Sequence, residues 1–396
     1  MNIKHKNMKN YRKQTQRVRG GQIRSPFGET SEPIYMNSGY VFNTAEEARD
    51  KFAGIEEGYL YSRYGNPTVS VFEERMALNE NAEACFATSS GMSAIFGSLM
   101  CFLNFGDEVV SSHSLFGSCY HIFDHILPRY GIQSKLIDGT SIEEWQQHIT
   151  TKTKCVFIET PSNPTMEIVD IQKVSNIAHK HGAIVIVDNI FASPILQKPM
   201  EFGADVVLYS GTKHIDGQGR SIGGAILSNK NFYDNFVKPF MRHTGPTLSP
   251  FNAWILLKGL ETLEYRIEQH CHNAEKISQF LLDHPKVETT IYPFSPNHPQ
   301  HELARLQMIK GGSIISFIPK SKDPFPLMNS LELFDISNNL GDTKSLITHP
   351  ATTTHRIVGE EGRKLLNITD NLIRLSIGLE DADDLIEDLE KSFLLI

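Results

Sequence analysis

From about residue 82 to residue 228, short apolar runs alternate with stretches whose apolar residues recur at helical spacing. Ala84–Thr88, Glu108–Ser111, Cys155–Ile158, Ile184–Asp188, Asp205–Tyr209 and Ala225–Leu227 are rich in Val, Ile and Phe and are bounded by Gly, Pro or Asp, which predicts buried strands. Ser93–Leu103, Phe116–Tyr130, Ser141–Ile149 and Ile171–His181 predict the helices between them. Such alternation implies an α/β fold with a mainly parallel central sheet covered on both faces. Beyond it, Trp254–Leu282 reads as one long helix. A strand at Ser313–Ile318, Pro/Asn-rich loops, a strand at Leu372–Ile377 and an acidic helix at Ala382–Leu394 then suggest a smaller α+β unit. The expected organisation is an N-terminal arm over 1–60, a larger domain over 61–255 and a C-terminal domain over 256–396.

Composition narrows the class. At 396 residues, 40% of them hydrophobic, the chain is long enough for two domains with real cores. It holds no apolar run of the roughly 18–20 residues that a membrane span needs, and no signal-peptide pattern. A formal charge of -8 argues against a nucleic-acid partner. The first nineteen residues carry seven Lys and Arg, and the first acid is Glu29, so the remainder stands at -15 (-8 less the arm's +7). The arm is expected to be solvated and to touch a neighbouring subunit. Cys85, Cys101, Cys119, Cys155 and Cys271 lie far apart without CxxC spacing, the usage of reduced thiols in the cytoplasm.

Several chemistries lose their support. Gly217-Gln218-Gly219-Arg220-Ser221-Ile222 lacks the third glycine of a dinucleotide loop, and no glycine-rich run precedes Gly211-Thr212-Lys213 at P-loop spacing. His121 and His125 stand four apart, but no HExxH glutamate accompanies them, so no metal site is expected. The Gly-x-Ser-x-Gly elbow of hydrolases is missing.

Three strand ends remain. In Thr88-Ser89-Ser90-Gly91-Met92-Ser93 a strand runs through small residues into a helix, where free N–H groups and the helix dipole suit a phosphate, or simply make a tight cap. Ile184-Val185-Ile186-Val187-Asp188-Asn189 ends a buried strand in a carboxylate that could hold a protonated ring nitrogen or cap a helix. Asp205 to His214 delivers Lys213, flanked by hydroxyl residues, to the end of another buried strand, where desolvation favours its neutral, nucleophilic form. A phosphate cradle, a ring-nitrogen partner and a Schiff-base lysine in one sheet are the inventory of a pyridoxal 5′-phosphate enzyme.

These residues also resemble the cysteine/methionine-metabolism family of pyridoxal-phosphate enzymes, which has the aspartate-aminotransferase-like fold (fold type I). The resemblance begins near residue 18. It is carried by Tyr61-Ser62-Arg63-Tyr64-Gly65-Asn66-Pro67-Thr68, Ser90-Gly91-Met92-Ser93, Glu159-Thr160-Pro161-Ser162-Asn163-Pro164, Asp188-Asn189, Ser210-Gly211-Thr212-Lys213 and Arg374-Leu375-Ser376-Ile377-Gly378. It implies that 61–255 is the cofactor domain, that Lys213 carries the cofactor and that Asp188 pairs with its ring nitrogen. Gly91, Met92, Ser210 and Thr212 would hold the phosphate, with Tyr61 and Arg63 reaching it from a second subunit of a homodimer or homotetramer. Tyr61 would be catalytic alongside Lys213, and Arg374, with Asn163 and Ser345, would bind the substrate carboxylate.

Ile215-Asp216-Gly217-Gln218-Gly219-Arg220, Gly245 to Trp254, Leu340 to Lys344 and His349 to His355 are more similar to the homoserine-ester sulfhydrylases than to cystathionine lyases. The implied reaction is γ-replacement on O-succinylhomoserine or O-acetylhomoserine by sulfide, giving homocysteine. Cystathionine γ-synthase and γ-lyase reactions are the alternatives. Phe116-Gly117-Ser118 stands where many members have a tyrosine before Gly-Gly-Thr. Phe116 can stack on a cofactor ring but cannot move a proton, so that task would pass to Lys213, Tyr61 or water.

Overall fold

The computed structural model describes residues 8–396. Seven strands form the large sheet: β1 (Ala84–Thr88), β2 (Glu108–Ser112), β3 (Gln133–Ile137), β4 (Thr153–Glu159), β5 (Ile184–Asp188), β6 (Val206–Ser210) and β7 (Gly224–Ser228). Their order is β1-β7-β6-β5-β4-β2-β3. Only β7 runs against its neighbours, so β1, β4, β5 and β6 deliver their C-terminal ends to one edge. The side-chain alternation of a strand splits the core across the two faces. Val156, Val185, Val187, Val207 and Leu227 pack on one side, and Phe157, Ile186, Val206, Leu208 and Ile226 on the other. Each such fully buried side chain contributes about 1.5–3 kcal/mol.

The second sheet holds β8 (Val287–Ile291), β9 (Ile314–Pro319), β10 (Asp335–Ile336), β11 (Leu346–Thr348) and β12 (Ile373–Ser376), in the order β10-β11-β12-β9-β8. Helices Leu263–Asp283 and Ala382–Phe393 close over it through Ile277, Leu281, Leu385, Leu389 and Phe393. The fold is the expected α/β type, with a mostly parallel central sheet and a smaller C-terminal sheet.

The structure corrects four details. Strand β3 lies at the sheet edge, and its mixed exposure erased the apolar run that marks the others. The segment expected as one helix from Trp254 to Leu282 is two, Pro250–Glu261 and Leu263–Asp283, interrupted at Thr262 (φ -111°, ψ 3°), where the Gly259 carbonyl accepts from Arg266. The helix expected over Phe116–Tyr130 changes pitch, passing from α at Gly117–His121 through a π turn to a 3-10 turn at Leu127–Tyr130. Finally, much of the basic arm is not free in solvent. Lys4 and Lys6 lie outside the described residues, but Lys13–Arg19 is a helix against Pro67–Glu80, with Arg17 buried and bonded to Asn79 (2.8 Å) and Glu264.

Candidate active site

A cavity of about 240 Å³ opens where the C-terminal edge of the large sheet meets the small one. Nine of the expected site residues line it: Gly91, Met92, Phe116, Asn163, Asp188, Ser210, Thr212, Lys213 and Arg374.

The phosphate side is built by close approach. Ser90 caps the helix Gly91–Met100, its Oγ accepting from Ser93 N at 3.1 Å, and so fixes the first turn, whose N–H groups have no helical acceptor. A Cβ on Gly91 would stand 2.8 Å from Ser210 Cβ, so only glycine brings this helix end against the end of β6. The Ser210 hydroxyl has no hydrogen-bond partner among the described residues, while Thr212 Oγ1 accepts from Gly223 N at 3.2 Å.

Across the cavity, Asp188 ends β5 and Glu159 ends β4, paired in register. Cys119 Sγ and a carboxylate oxygen of each lie within 4.8 Å of one another, all buried. Asp188 Oδ1 accepts from Ile190 N at 3.0 Å, and its other oxygen accepts no hydrogen bond among the described residues. Burial raises the carboxyl well above its ordinary value, opposed by that one N–H. Burial and the neighbouring Asp188 also push Glu159 up, although Phe116 N and Asn163 N donate to it at 2.8 and 2.9 Å. Two buried carboxyls with no facing cation among the described residues suit a ligand that brings a positive N–H.

Lys213 sits in a π turn, Gly211–Ile215, that follows β6. Burial, and then the charge of Arg374, lowers its pKa from 10.5 to about 8. Its Nζ donates to Asn339 Oδ1 at 2.6 Å. Arg374, on β12, is fully buried, with no carboxylate partner among the described residues. Its Nη1 donates to Asn163 Oδ1, and its Nη2 to the carbonyls of Asn338 and Asn339, all at 3.0 Å. Nε is buried with no hydrogen-bond partner among the described residues. Burial lowers this guanidinium to about 10, an unusual state that an arriving carboxylate would relieve.

Three expected residues stand elsewhere. Ser345 is buried off the cavity, where it donates to Glu380 at 2.9 Å and accepts from Gly378 N, which ties two loops together. Tyr61 and Arg63 line a separate surface cleft with Met36, Ser38, Gly245 and Thr247. There Arg63 lies over the Tyr64 ring at 4.7 Å, and Tyr61 is 43% exposed. Within one chain these two do not reach the cavity. His121 and His125 have ring centroids 4.7 Å apart but belong to no three-residue metal-ligand group among the described residues.

Sequence reasoning assigned no role to Glu159 or Asn339. Glu159 carried the same signal as Asp188, a carboxylate closing a buried strand. Asn339 lies in an irregular loop, and nothing in the local pattern marks it.

The model of the Cys/Met metabolism PLP-dependent enzymes matches residues 14–394. The chain belongs to this family. Members use pyridoxal phosphate, and the unpaired helix N–H groups, the open Asp188 oxygen and Lys213 fit that cofactor. An O-succinylhomoserine sulfhydrylase of Mycobacterium tuberculosis is 51% identical over 95% of this chain and 94% of its own length. One of Pseudomonas aeruginosa is 46% identical over 94% and 93%. Among solved structures, a provisionally assigned O-acetylhomoserine (thiol)-lyase of Campylobacter jejuni superposes with a TM-score of 0.93 at 34% identity, covering 97% of this chain and 100% of that one. That family member holds N′-pyridoxyl-lysine-5′-monophosphate.

Proposed function

We propose that the chain replaces the γ-substituent of O-succinylhomoserine with sulfide, breaking the Cγ–O bond, forming a Cγ–S bond and releasing succinate and homocysteine. The observation that carries this reading is a lysine whose pKa burial lowers to about 8, beside a buried arginine with no carboxylate partner among the described residues, in a chain 51% identical to a sulfhydrylase of that ester. Pyridoxal phosphate supplies an electron-accepting ring that stabilises negative charge at carbons next to the substrate nitrogen.

The protein's part is placement and proton transfer. Arg374 and Asn163 clamp the substrate carboxylate, the guanidinium offering its unpaired Nε. Lys213, lowered to about 8, serves as the base that takes protons from Cα and Cβ and returns them. With the cofactor bound, the anionic form of Asp188 would keep its ring nitrogen protonated, while Glu159 holds the backbone N–H groups of Phe116 and Asn163 in place. Phe116 would cover the ring face of the cofactor, while Gly91, Met92, Ser210 and Thr212, which line the cavity, would hold its phosphate. Ser345 acts from behind, through Glu380 and Gly378.

Tyr61 and Arg63 complete the site of a second copy, Tyr61 sharing in the catalysis, so the working unit is a homodimer or a tetramer of such pairs. Exposed apolar side chains along the N-terminal segment support this, among them Met36, Val41 and Ile55. The domains are read as an arm over 1–60, a cofactor domain over 61–255 and a C-terminal domain over 256–396, since β1–β7 all fall in the second and β8–β12 in the third. No helix among the described residues is long and apolar enough to cross a membrane. Five unpaired cysteines fit the cytoplasm.

The test is an assay of purified protein with O-succinylhomoserine or O-acetylhomoserine, each with sulfide or cysteine, identifying products by mass. Homocysteine from the succinyl ester is expected. Cystathionine, or 2-oxobutanoate formed while sulfide is present, would overturn the reading. Lys213→Arg should abolish both turnover and the visible absorbance of bound pyridoxal phosphate.

A further inference from the structure

Two glycines permit an unusual approach to the lysine turn. A Cβ on Gly217 (φ +66°) would lie 2.0 Å from Arg266 Nη1, and one on Gly259 would lie 2.0 Å from the Ile215 carbonyl oxygen. Into the space they leave comes the buried guanidinium of Arg266, from just beyond the interruption at Thr262. Its Nη1 donates to the His214 carbonyl at 2.7 Å. Its Nη2 donates to the carbonyls of Ile215 at 3.2 Å and Gly259 at 2.8 Å, and its Nε to Thr262 Oγ1 at 3.3 Å. The acid contributing to its charge environment, Asp216, is itself occupied by Arg220 at 2.9 Å and by the N–H groups of Arg220 and Ser221. Arg266 therefore spends both terminal nitrogens on backbone carbonyls, two of them within two residues of Lys213.

We propose that Arg266 is the positioning residue of Lys213: by forking onto the His214 and Ile215 carbonyls it fixes the peptide planes that follow the lysine, and so the arc its amine sweeps. Two further contacts hold the same turn from the other side. His214 Nε2 meets Ser313 Oγ at 2.8 Å, and Gly341 (φ +72°) lies so close that a Cβ there would stand 2.7 Å from His214 N. Neither contact reaches the carbonyls. Without the guanidinium both carbonyls would be buried and unpaired, and the turn would rotate to find other donors, taking Lys213 with it. A base that serves two adjacent carbons tolerates little displacement, since an error near 1 Å can cost about 100-fold in rate.

The inference rests on the reading of Lys213 as the cofactor-bearing base, which the Lys213→Arg protein tests separately through its visible absorbance. Arg266→Met and Arg266→Lys are compared with the parent holoenzyme by kcat, KM, thermal midpoint and the pH titration of the visible absorbance of bound pyridoxal phosphate. Arg266→Met is expected to lose about 100-fold in kcat. KM should be nearly unchanged, because Arg374 and Asn163 are untouched, and the titration midpoint should move. Arg266→Lys keeps the charge but cannot fork onto several carbonyls, so it should fall between the two. A purely structural role would lower the thermal midpoint and leave kcat and the titration midpoint at parental values, and that result overturns the proposal. Should Arg266→Met fail to fold, Arg266→Lys decides by the same two readings. The absorbance titration reads Lys213 without turnover, so the outcome does not depend on which nucleophile the enzyme prefers.

Discussion

Lys213 and Arg374 meet at a single residue, Asn339, whose side-chain oxygen takes the lysine Nζ at 2.6 Å and whose carbonyl takes Arg374 Nη2 at 3.0 Å. Two cationic side chains thus share one residue, with no acid between them among the described residues. This juxtaposition, added to burial, lowers Lys213 from 10.5 to about 8. The base form is the neutral amine, so activity is expected to rise with pH. A kcat profile at saturating ester and sulfide should show an acid limb with its midpoint below the ordinary lysine value of 10.5. A midpoint near 10.5 would mean that Lys213 is neither buried nor flanked by a cation when it acts.

Asn339→Asp tests the same contact in the opposite direction. It is nearly isosteric but places a negative charge between the two cations. An opposite charge at that distance favours the ammonium, so the acid limb should move up by roughly 1–3 pH units. The new carboxylate also competes with the substrate's at Arg374, which should raise KM for the ester. A pH profile combined with KM separates this outcome from a simple loss of fold.

The pairing of Asp188 with Glu159 makes a claim about stability. Asp188 is raised from 3.8 in the cofactor-free protein because burial disfavours its charge. A raised folded-state value means that the native protein holds a proton the unfolded chain has lost, so stability falls as pH rises from about 4 towards 7. Asp188→Asn removes that titration. Without cofactor, the variant should gain on the parent as pH rises across this window, by a few kcal/mol at most. With cofactor bound, its kcat should fall by about 100-fold or more while visible absorbance persists, since Lys213 is intact. Paired unfolding curves at pH 5 and pH 8 check the first part. Equal pH dependence in the two proteins would refute it.

Gly91→Ala should separate stability from cofactor binding. Alanine in a helix is favoured over glycine by about 1 kcal/mol, but the added methyl would sit 2.8 Å from Ser210 Cβ. The helix end must then draw back from β6, and the first-turn N–H groups go with it. The expected result is little change in the thermal midpoint of the cofactor-free protein, together with at least tenfold weaker pyridoxal-phosphate binding, equivalent to about 1.4 kcal/mol. Spectroscopic titration with the cofactor reads the second quantity.

What could be read from the chain follows from how each feature is encoded. Strands β1, β4, β5 and β6 announce themselves because burial on both faces makes them unbroken apolar runs, and the site residues at their ends inherit that clarity. Strand β3, half exposed at the sheet edge, carries no such run. The break at Thr262 was hidden because both helices keep an apolar stripe through it, and only tertiary contact with Arg266 distinguishes the two segments. Ser345 was expected in the site from resemblance, but its register beside β11 turns the hydroxyl towards Glu380. Asn339 shows the limit most clearly. Its role comes from a loop brought over the large sheet by the small one, a distance in sequence of 126 residues from Lys213 that no local pattern reports.

The cleft that holds Tyr61 and Arg63 leads to the last prediction. These side chains lie outside the cavity of their own chain, and Arg63 Nη1 donates to the carbonyl of Arg242 at the surface. If they complete the site of a second copy, a chain lacking Arg63 and a chain lacking Lys213 damage different sites. Arg63→Ala and Lys213→Ala proteins, each inactive alone, should regain activity when unfolded and refolded together. Random pairing makes half of the dimers hybrids, and each hybrid has one site built from intact Lys213 and intact Arg63. The recovered activity should approach about a quarter of the parent's. Mixing without unfolding should recover less, because subunits must exchange first. No recovery in either case would place Arg63 and Lys213 in the same site of one chain, and the shared-site arrangement would then fail.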